Sequence, residues 1–248
     1  MTFRTDEGPV PALEGVRFEA GEGEFVSILG PSGCGKSTLL KLIAGLMPPS
    51  RGSIKVSGTP VDGPNRNIGI VFQNPILMNW RTSLENIMIQ AEVRGLDRNK
   101  HLEVARDLIK LVGLSGFENK YPFQLSGGMA QRVSLCRALI HDPPLLLMDE
   151  PFAALDALTR EKMNLELQRI WLERKKTVLF ITHSIPEALF LSDRVLLMSP
   201  RPGSIIEVIS IDFSRPRELS TMQATGFNAI VGKLRLLMHS AEMEGDST

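Results

Sequence analysis

The chain has 248 residues, a formal net charge of +0 from 28 Lys plus Arg against 28 Asp plus Glu, and 43% hydrophobic residues. This suffices for one sizeable core, or a core with a subordinate lobe, and excludes disordered and collagen-like chains. The balanced charge argues against nucleic acid as a partner held by bulk electrostatics; two cysteines, Cys34 and Cys136, and a start without an apolar stretch behind a basic one point to a reducing, cytosolic setting.

In chain order, Glu24 to Gly30 (EFVSILG) reads as a buried strand and 37–47 as a helix with Leu39, Leu40, Ile43 and Leu46 near helical spacing, stopped by Pro48, Pro49 and Gly52. Ile54–Ser57 and Ile68–Phe72 follow as strands, and then the pattern changes. From Thr82 to Leu139 only helical stretches occur, about 82–94, 98–113 and 126–140, which predicts an inserted helical lobe of about 74–139. Alternation resumes with strand 145–148, helix 156–173, strand 177–181, helix 185–191 and strand 194–198. A strand over 204–211 and an amphipathic helix over about 221–238 complete the pattern, with a frayed tail after Glu242. Strands alternating with helices predict an α/β architecture with a largely parallel sheet, its core about 1–73 and 140–211. No run approaches the roughly 18 apolar residues of a membrane-spanning helix.

Gly30, Pro31, Ser32, Gly33, Cys34, Gly35, Lys36 and Ser37 match G-x-x-x-x-G-K-[ST] between a predicted strand and a predicted helix. Glycines let several N–H groups converge on phosphate oxygens, the helix points its positive end at them, Lys36 reaches the terminal phosphates, and the Ser37 hydroxyl can ligate Mg2+. Cys34 contributes backbone rather than redox chemistry. The apolar strand 145–148 ends in Asp149 and Glu150. A carboxylate there lies at the C-terminal edge of the sheet, where Asp149 can hold Mg2+ through a water and Glu150 can polarise a water attacking the γ-phosphate. Ser126, Gly127 and Gly128 open a further helix, a second anion-binding N-terminus.

Gly30 to Thr38, Gln73 after IGIVF, LSGGMAQR at 125–132, LLLMDEP at 145–151, AALD at 153–156 and His183 after TVLFIT together resemble the ATP-binding subunit of ABC transporters. The resemblance spans about Phe3 to Met198. It implies a P-loop NTPase (RecA-like) core with an inserted α-helical subdomain, and an ATPase with ATP and Mg2+ as cofactors. It also implies a homodimer in which two chains sandwich two ATP molecules head to tail. Ser126 and Gly128 would then contact the γ-phosphate held by the opposite chain's Lys36, Gln73 would sense Mg2+ and the attacking water, His183 would hold the γ-phosphate, and Asp156 would cross the dimer interface while capping its own helix. The resemblance also implies a strand at 16–20, preceded by a first strand and an aromatic that stacks on adenine; only fifteen residues precede 16–20, Phe3 is the candidate aromatic, and either the chain begins within that first strand or adenine is held by looser contacts.

The stretch from Asn74 to Asn86 and the segment Leu197–Gly203 are similar to the nitrate, sulfonate and taurine import branch. That implies integral membrane permease subunits as partners, a substrate-binding protein acting indirectly, and a peripheral location at the cytoplasmic face of the inner membrane. Leu77, Met78 and Trp80 could line a groove for a cytoplasmic helix of the permease or could be core residues beneath the helical lobe. The alternative of a soluble ABC-type ATPase acting on ribosomes or DNA would bring tandem domains, a long coiled coil or zinc-binding cysteines, none of which the sequence contains. A non-catalytic nucleotide-binding regulator would be expected to lack the equivalents of Glu150 or His183, and both are present.

Overall fold

The computed structural model describes residues 1–6 and 8–245. Its centre is a six-stranded sheet in the order β10 (Ile205–Ser210), β9 (Arg194–Met198), β3 (Phe25–Leu29), β8 (Thr177–Ile181), β7 (Leu145–Asp149) and β6 (Ile68–Val71). All neighbours run parallel except β10 on β9. The central strands are near-continuous apolar runs because helices cover both faces, which leaves no solvent side to encode by alternation. Every residue of β3 is buried. On the edge strand β10 exposure alternates instead.

One face carries Phe25, Val178, Phe180, Leu146 and Met148. The opposite face, with Val26, Ile28, Leu147, Leu179 and Leu196, packs on α1 (Lys36–Ile43). A third cluster joins Leu29, Val195 and Leu197 to α6 (Ile185–Leu191) and α7 (Thr225–Gly245) through Leu189, Phe227 and Leu234.

Between β6 and β7 the chain forms α2 (Ser83–Val93), α3 (Arg98–Leu111) and α4 (Gly127–Leu139). Each starts on a side-chain cap, respectively Thr82 in a reciprocal capping box with Glu85, Asp97, and Ser126. Their apolar faces meet at Ile87, Ala91, Ala105, Leu108 and Val133, in a cluster continuous with the sheet core. Helix α5 (Ala157–Arg174) follows β7 and starts on the Asp156 cap. No helix of the described residues is long and apolar enough to cross a membrane.

Three expectations are corrected. Residues 16–20 form no strand: Val16 and Phe18 turn inward and Arg17 and Glu19 outward, a strand-like alternation without ladder hydrogen bonds. The start of the chain instead makes an antiparallel hairpin, β1 (Thr2–Thr5) with β2 (Gly8–Pro11). The strand expected at 54–57 shrinks to β4 (Lys55–Val56), paired with β5 (Thr59–Pro60) outside the main sheet. The last helix starts later and runs to Gly245, with a 3-10 turn at Leu219–Gln223 where it was expected to begin; residues 246–248 of the tail lie outside the described residues.

Candidate functional site

Four adjacent strands, β3, β8, β7 and β6, deliver their following residues to one edge of the sheet, and every one carries a residue singled out from sequence. The phosphate loop leaves β3, His183 follows β8, Asp149 and Glu150 end β7, and Gln73 follows β6. The register aligns Ile28 and Asp149 on the same residue of β8, Ile181, so the loop and the acidic pair are brought level across it.

The loop Gly30 to Gly35 runs directly into α1, whose N-cap is Gly35 with φ 106 and no side-chain cap. The amides of the first turn therefore have neither an intrahelical nor a side-chain partner and are available to an anion. Lys36 is buried, and its Nζ donates to the carbonyls of Gly30 and Pro31, both at 2.8 Å, across the concave side of the loop. Ser37 Oγ donates to Asp149 Oδ1 at 3.1 Å. Burial pushes the Asp149 carboxyl up from its ordinary value, opposed by the Ser37 bond and reinforced by the charge of Glu150. A hydroxyl beside a carboxylate is an oxygen-only donor pair suited to a hard cation, so Mg2+ fits here together with nucleotide phosphates. Cys34 is buried beside Lys36, and burial raises its thiol despite that ammonium, so it is no thiolate nucleophile. Thr38 continues the first turn of α1.

The loop is braced from behind by residues far away in sequence. Gly203 N–H donates to Ala12 at 2.9 Å and Glu14 N–H to Gly203 at 3.0 Å, closing a bridge beneath the loop. A Cβ on Gly203 would stand 2.0 Å from the Cys34 carbonyl oxygen, and one on Gly35 would stand 2.6 Å from Leu13. Backbone in the way at Gly203, and at Gly35 the φ of 106 with the Ala12 carbonyl 2.9 Å from such a Cβ, require glycine.

Glu150 adopts φ 44, a left-handed conformation that costs a non-glycine residue roughly 1–2 kcal/mol. Its N–H donates to Ile181 at 2.9 Å, and its Oε2 lies 3.1 Å from His183 Nδ1. Strain held at a strand end by a neighbouring strand is a mark of a functional position. Beneath it, Thr182 Oγ1 donates to Glu187 Oε2 at 2.6 Å, and Glu187 pairs with Arg160 at 3.4 Å. Arg160 donates onward to the Leu155 carbonyl. The His183 turn and the loop before Asp156 are thereby tied together.

Ser126 caps α4 by accepting from Met129 N–H at 3.3 Å, and Asp156 caps α5 by accepting from Thr159 N–H at 3.0 Å. These two caps are neighbours, because a Cβ on Gly128 would meet Thr159 and Leu155. Nothing would obstruct one on Gly127. Among the described residues no hydrogen bond joins Ser126, Gly127 or Gly128 to the phosphate loop of the same chain. Gln73 is exposed just past β6. Phe3 lies in the hairpin opposite Val10; it is Leu13, rather than Phe3, that reaches the loop at Gly35. Of the three lobe residues at issue, Trp80 is 75% exposed, whereas Leu77 packs on the core cluster and Met78 is half-buried.

The brace of Ala12, Leu13 and Gly203 and the pair Glu187 and Arg160 escaped the sequence reading. The spacing Ser184 to Glu187, a serine with a glutamate three residues on, could have drawn attention to the second; no local pattern marks the first.

Residues 13–153 match the family described as ABC transporter. An uncharacterised ABC transporter ATP-binding protein of Methanocaldococcus jannaschii is 49% identical over 221 residues, covering 89% of this chain and 83% of the relative. The taurine import ATP-binding protein TauB of Escherichia coli K12 is 46% identical over 210 residues, 85% of this chain and 82% of that protein. Among solved structures, a dimeric post-hydrolysis state of the ATP-binding cassette MJ0796 bound to ADP and Pi superposes with a TM-score of 0.76 at 33% identity, over 86% of this chain and 96% of that one. So does cbiO1 of Clostridium perfringens, part of the ABC transporter complex cbiONQ, at 26% identity over 98% and 96%.

Proposed function

Because this chain belongs to the ABC transporter family, as an ATP-binding cassette and an ATPase, we propose that it energises a solute importer by closing in pairs around ATP. The observation that carries this reading is the single sheet edge where Lys36, the Ser37–Asp149 pair and the Glu150–His183 pair stand side by side. Phosphoryl transfer to water needs little more than such positioning and charge stabilisation.

In this reading the loop amides of Gly30 to Thr38 and the Lys36 ammonium hold the β- and γ-phosphates. Ser37, Asp149 and Gln73 hold Mg2+, which when bound neutralises charge developing on those phosphates. Glu150 accepts the proton of the attacking water, and His183 holds the γ-phosphate and orients Glu150. Ser126 and Gly128 act on the nucleotide of a second chain, which is supported by a capped helix N-terminus that makes no hydrogen bond to its own phosphate loop. A solved dimeric cassette with ADP and Pi supports pairing in the presence of nucleotide. Asp156, next to Gly128, belongs to that interface. Phe3 is left without a supporting contact as the adenine-stacking residue.

The helical lobe of about 74–139 moves against the core of about 1–73 and 140–211 as the pair closes. Trp80, 75% exposed, is available to a cytoplasmic segment of the permease. The protein then sits peripherally on the cytoplasmic face of the inner membrane, with a substrate-binding protein delivering cargo from the other side. The likeness to a taurine import protein favours taurine, an aliphatic sulfonate or nitrate as cargo. The test is reconstitution of this chain in vesicles with candidate permease and substrate-binding subunits. ATP-dependent uptake of one of those solutes is the expected result; ATP hydrolysis without uptake of any of them would refute the cargo class, and no hydrolysis would refute the clamp.

A further inference from the structure

Gln73 sits in a short turn that one helix grips on both sides. Gln131 Nε2 donates to the Phe72 carbonyl at 3.0 Å, and Arg137 donates to Pro75 and Ile76 carbonyls through two arms of its guanidinium, both at 2.7 Å. Both donors belong to α4, about 9 Å apart along its axis. Between them the chain does something unfavourable. Ile76 has φ 44, a left-handed conformation that a β-branched side chain strongly resists, and its side chain is 63% exposed, so no packing of that side chain compensates. Bonds to the carbonyls on both sides of the strained residue are what hold it. The remainder of the loop is fixed elsewhere, by Asn86, which accepts from Met78 N–H and donates to the carbonyls of Met78, Arg81 and Thr82. Among the described residues, the hydrogen bonds on the Pro75 and Ile76 carbonyls come from Arg137.

We propose that Arg137 is a positioning residue for Gln73: with Gln131 it brackets the turn from Phe72 to Ile76, so that helix α4 decides where Gln73 stands relative to the phosphates. The inference rests on the role given to Gln73 above and adds the element that sets its place. The chemistry suits arginine alone, since its planar fork reaches two consecutive carbonyls at once, whereas a lysine ammonium can satisfy them only as a point charge. Burial lowers the Arg137 pKa, the mark of a guanidinium drawn out of water towards these oxygens. The same helix starts at Ser126, about 16 Å away. Helix α4 thus connects the Ser126 cap to the turn that carries Gln73.

The experiment compares Arg137→Met, Arg137→Lys, Gln73→Ala and the double variant Arg137→Met with Gln73→Ala. In Arg137→Met, hydrogen exchange at the amides of Gln73, Asn74, Ile76 and Leu77 should quicken, with α4 itself remaining protected. Its kcat should fall about tenfold to a hundredfold with KM for ATP within about twofold, the range expected of a misplaced catalytic group. Arg137→Lys should retain part of both properties. The double variant should be no slower than Gln73→Ala, because the two changes remove one function. Unchanged exchange at those amides, fully additive losses in the double variant, or loss of α4 protection in both Arg137 variants would each overturn the proposal. A Gln73→Ala enzyme with unaltered turnover would instead refute the role of Gln73, and the exchange measurement would still decide whether Arg137 fixes the turn.

Discussion

His183 Nδ1 and Glu150 Oε2 stand 3.1 Å apart although they leave different strands, β8 and β7, and Glu150 holds a left-handed backbone conformation. The carboxylate is thus oriented by a neighbour and held at the end of a buried strand, as a general base for an attacking water requires. Glu150→Gln preserves shape and removes the basic oxygen. Turnover should drop by two orders of magnitude or more while ATP still drives pairing, read by size-exclusion chromatography with and without Mg-ATP. Wild-type hydrolysis rates in this variant would refute the assignment.

Lys36 and Ser126 are predicted to serve one nucleotide from two chains. Lys36→Ala should weaken ATP binding about tenfold to a hundredfold, the loss expected for a charge-assisted hydrogen bond worth about 1.5–3 kcal/mol. Mixing Ser126→Arg chains with Lys36→Ala chains should restore at most one intact composite site per pair, detectable as a partial return of phosphate release. Recovery of both sites would exclude the head-to-tail arrangement.

The brace beneath the phosphate loop predicts that Gly203→Ala harms a site far away from it in the sequence. Its new Cβ would stand 2.0 Å from the Cys34 carbonyl oxygen, backbone that cannot turn aside. Either the loop or the 199–204 turn must move, at a cost of about 1–3 kcal/mol by analogy with overpacking elsewhere. Thermal melting should show the lost stability, and ATP affinity should decline with it. An unchanged affinity would show that the loop keeps its shape without this support.

His141 supplies a pH dependence. Burial, aided by the nearby Arg94 charge, pushes its imidazole down to about 4. The folded protein therefore keeps this ring neutral where the unfolded chain would already have protonated it, below about pH 6.5. More protons bound by the unfolded state means stability falls as the pH drops from about 6.5 towards 4. Urea melts across that window should show a smaller decline in His141→Gln. An equal acid response in both proteins would remove His141 as its source.

Much of the site was readable from the chain because its parts are local. A phosphate loop is a contiguous run of small residues between a strand and a helix, an apolar strand ending in Asp149 and Glu150 declares its own edge of the sheet, and Ser126 and Asp156 are helix caps recognisable by residue type. Lys36, Ser37, Asp149, Glu150 and His183 are brought together in the structure as neighbours. What resisted reading is non-local. The interval 16–20 alternates like a strand, yet its partners would have to come from elsewhere in the fold and it pairs with none, and the opening hairpin depends on a register no periodicity reveals. Arg137 looks like any charged residue of an amphipathic helix until the carbonyls it reaches are known.

The sequence by itself determined the alternation of strands and helices and the family, and it marked the residues proposed for the nucleotide site, since these follow from residue type and short spacing. Only the tertiary structure decided that Gly203 and Leu13 support the phosphate loop, that Glu187 and Arg160 tie the His183 turn to the loop before Asp156, and that α4 grips the turn around Gln73. The physical reason is the same in each case. A hydrogen bond or a close backbone approach between residues far apart in the chain depends on strand order and register, which arise from the packing of the whole sheet rather than from any segment of it.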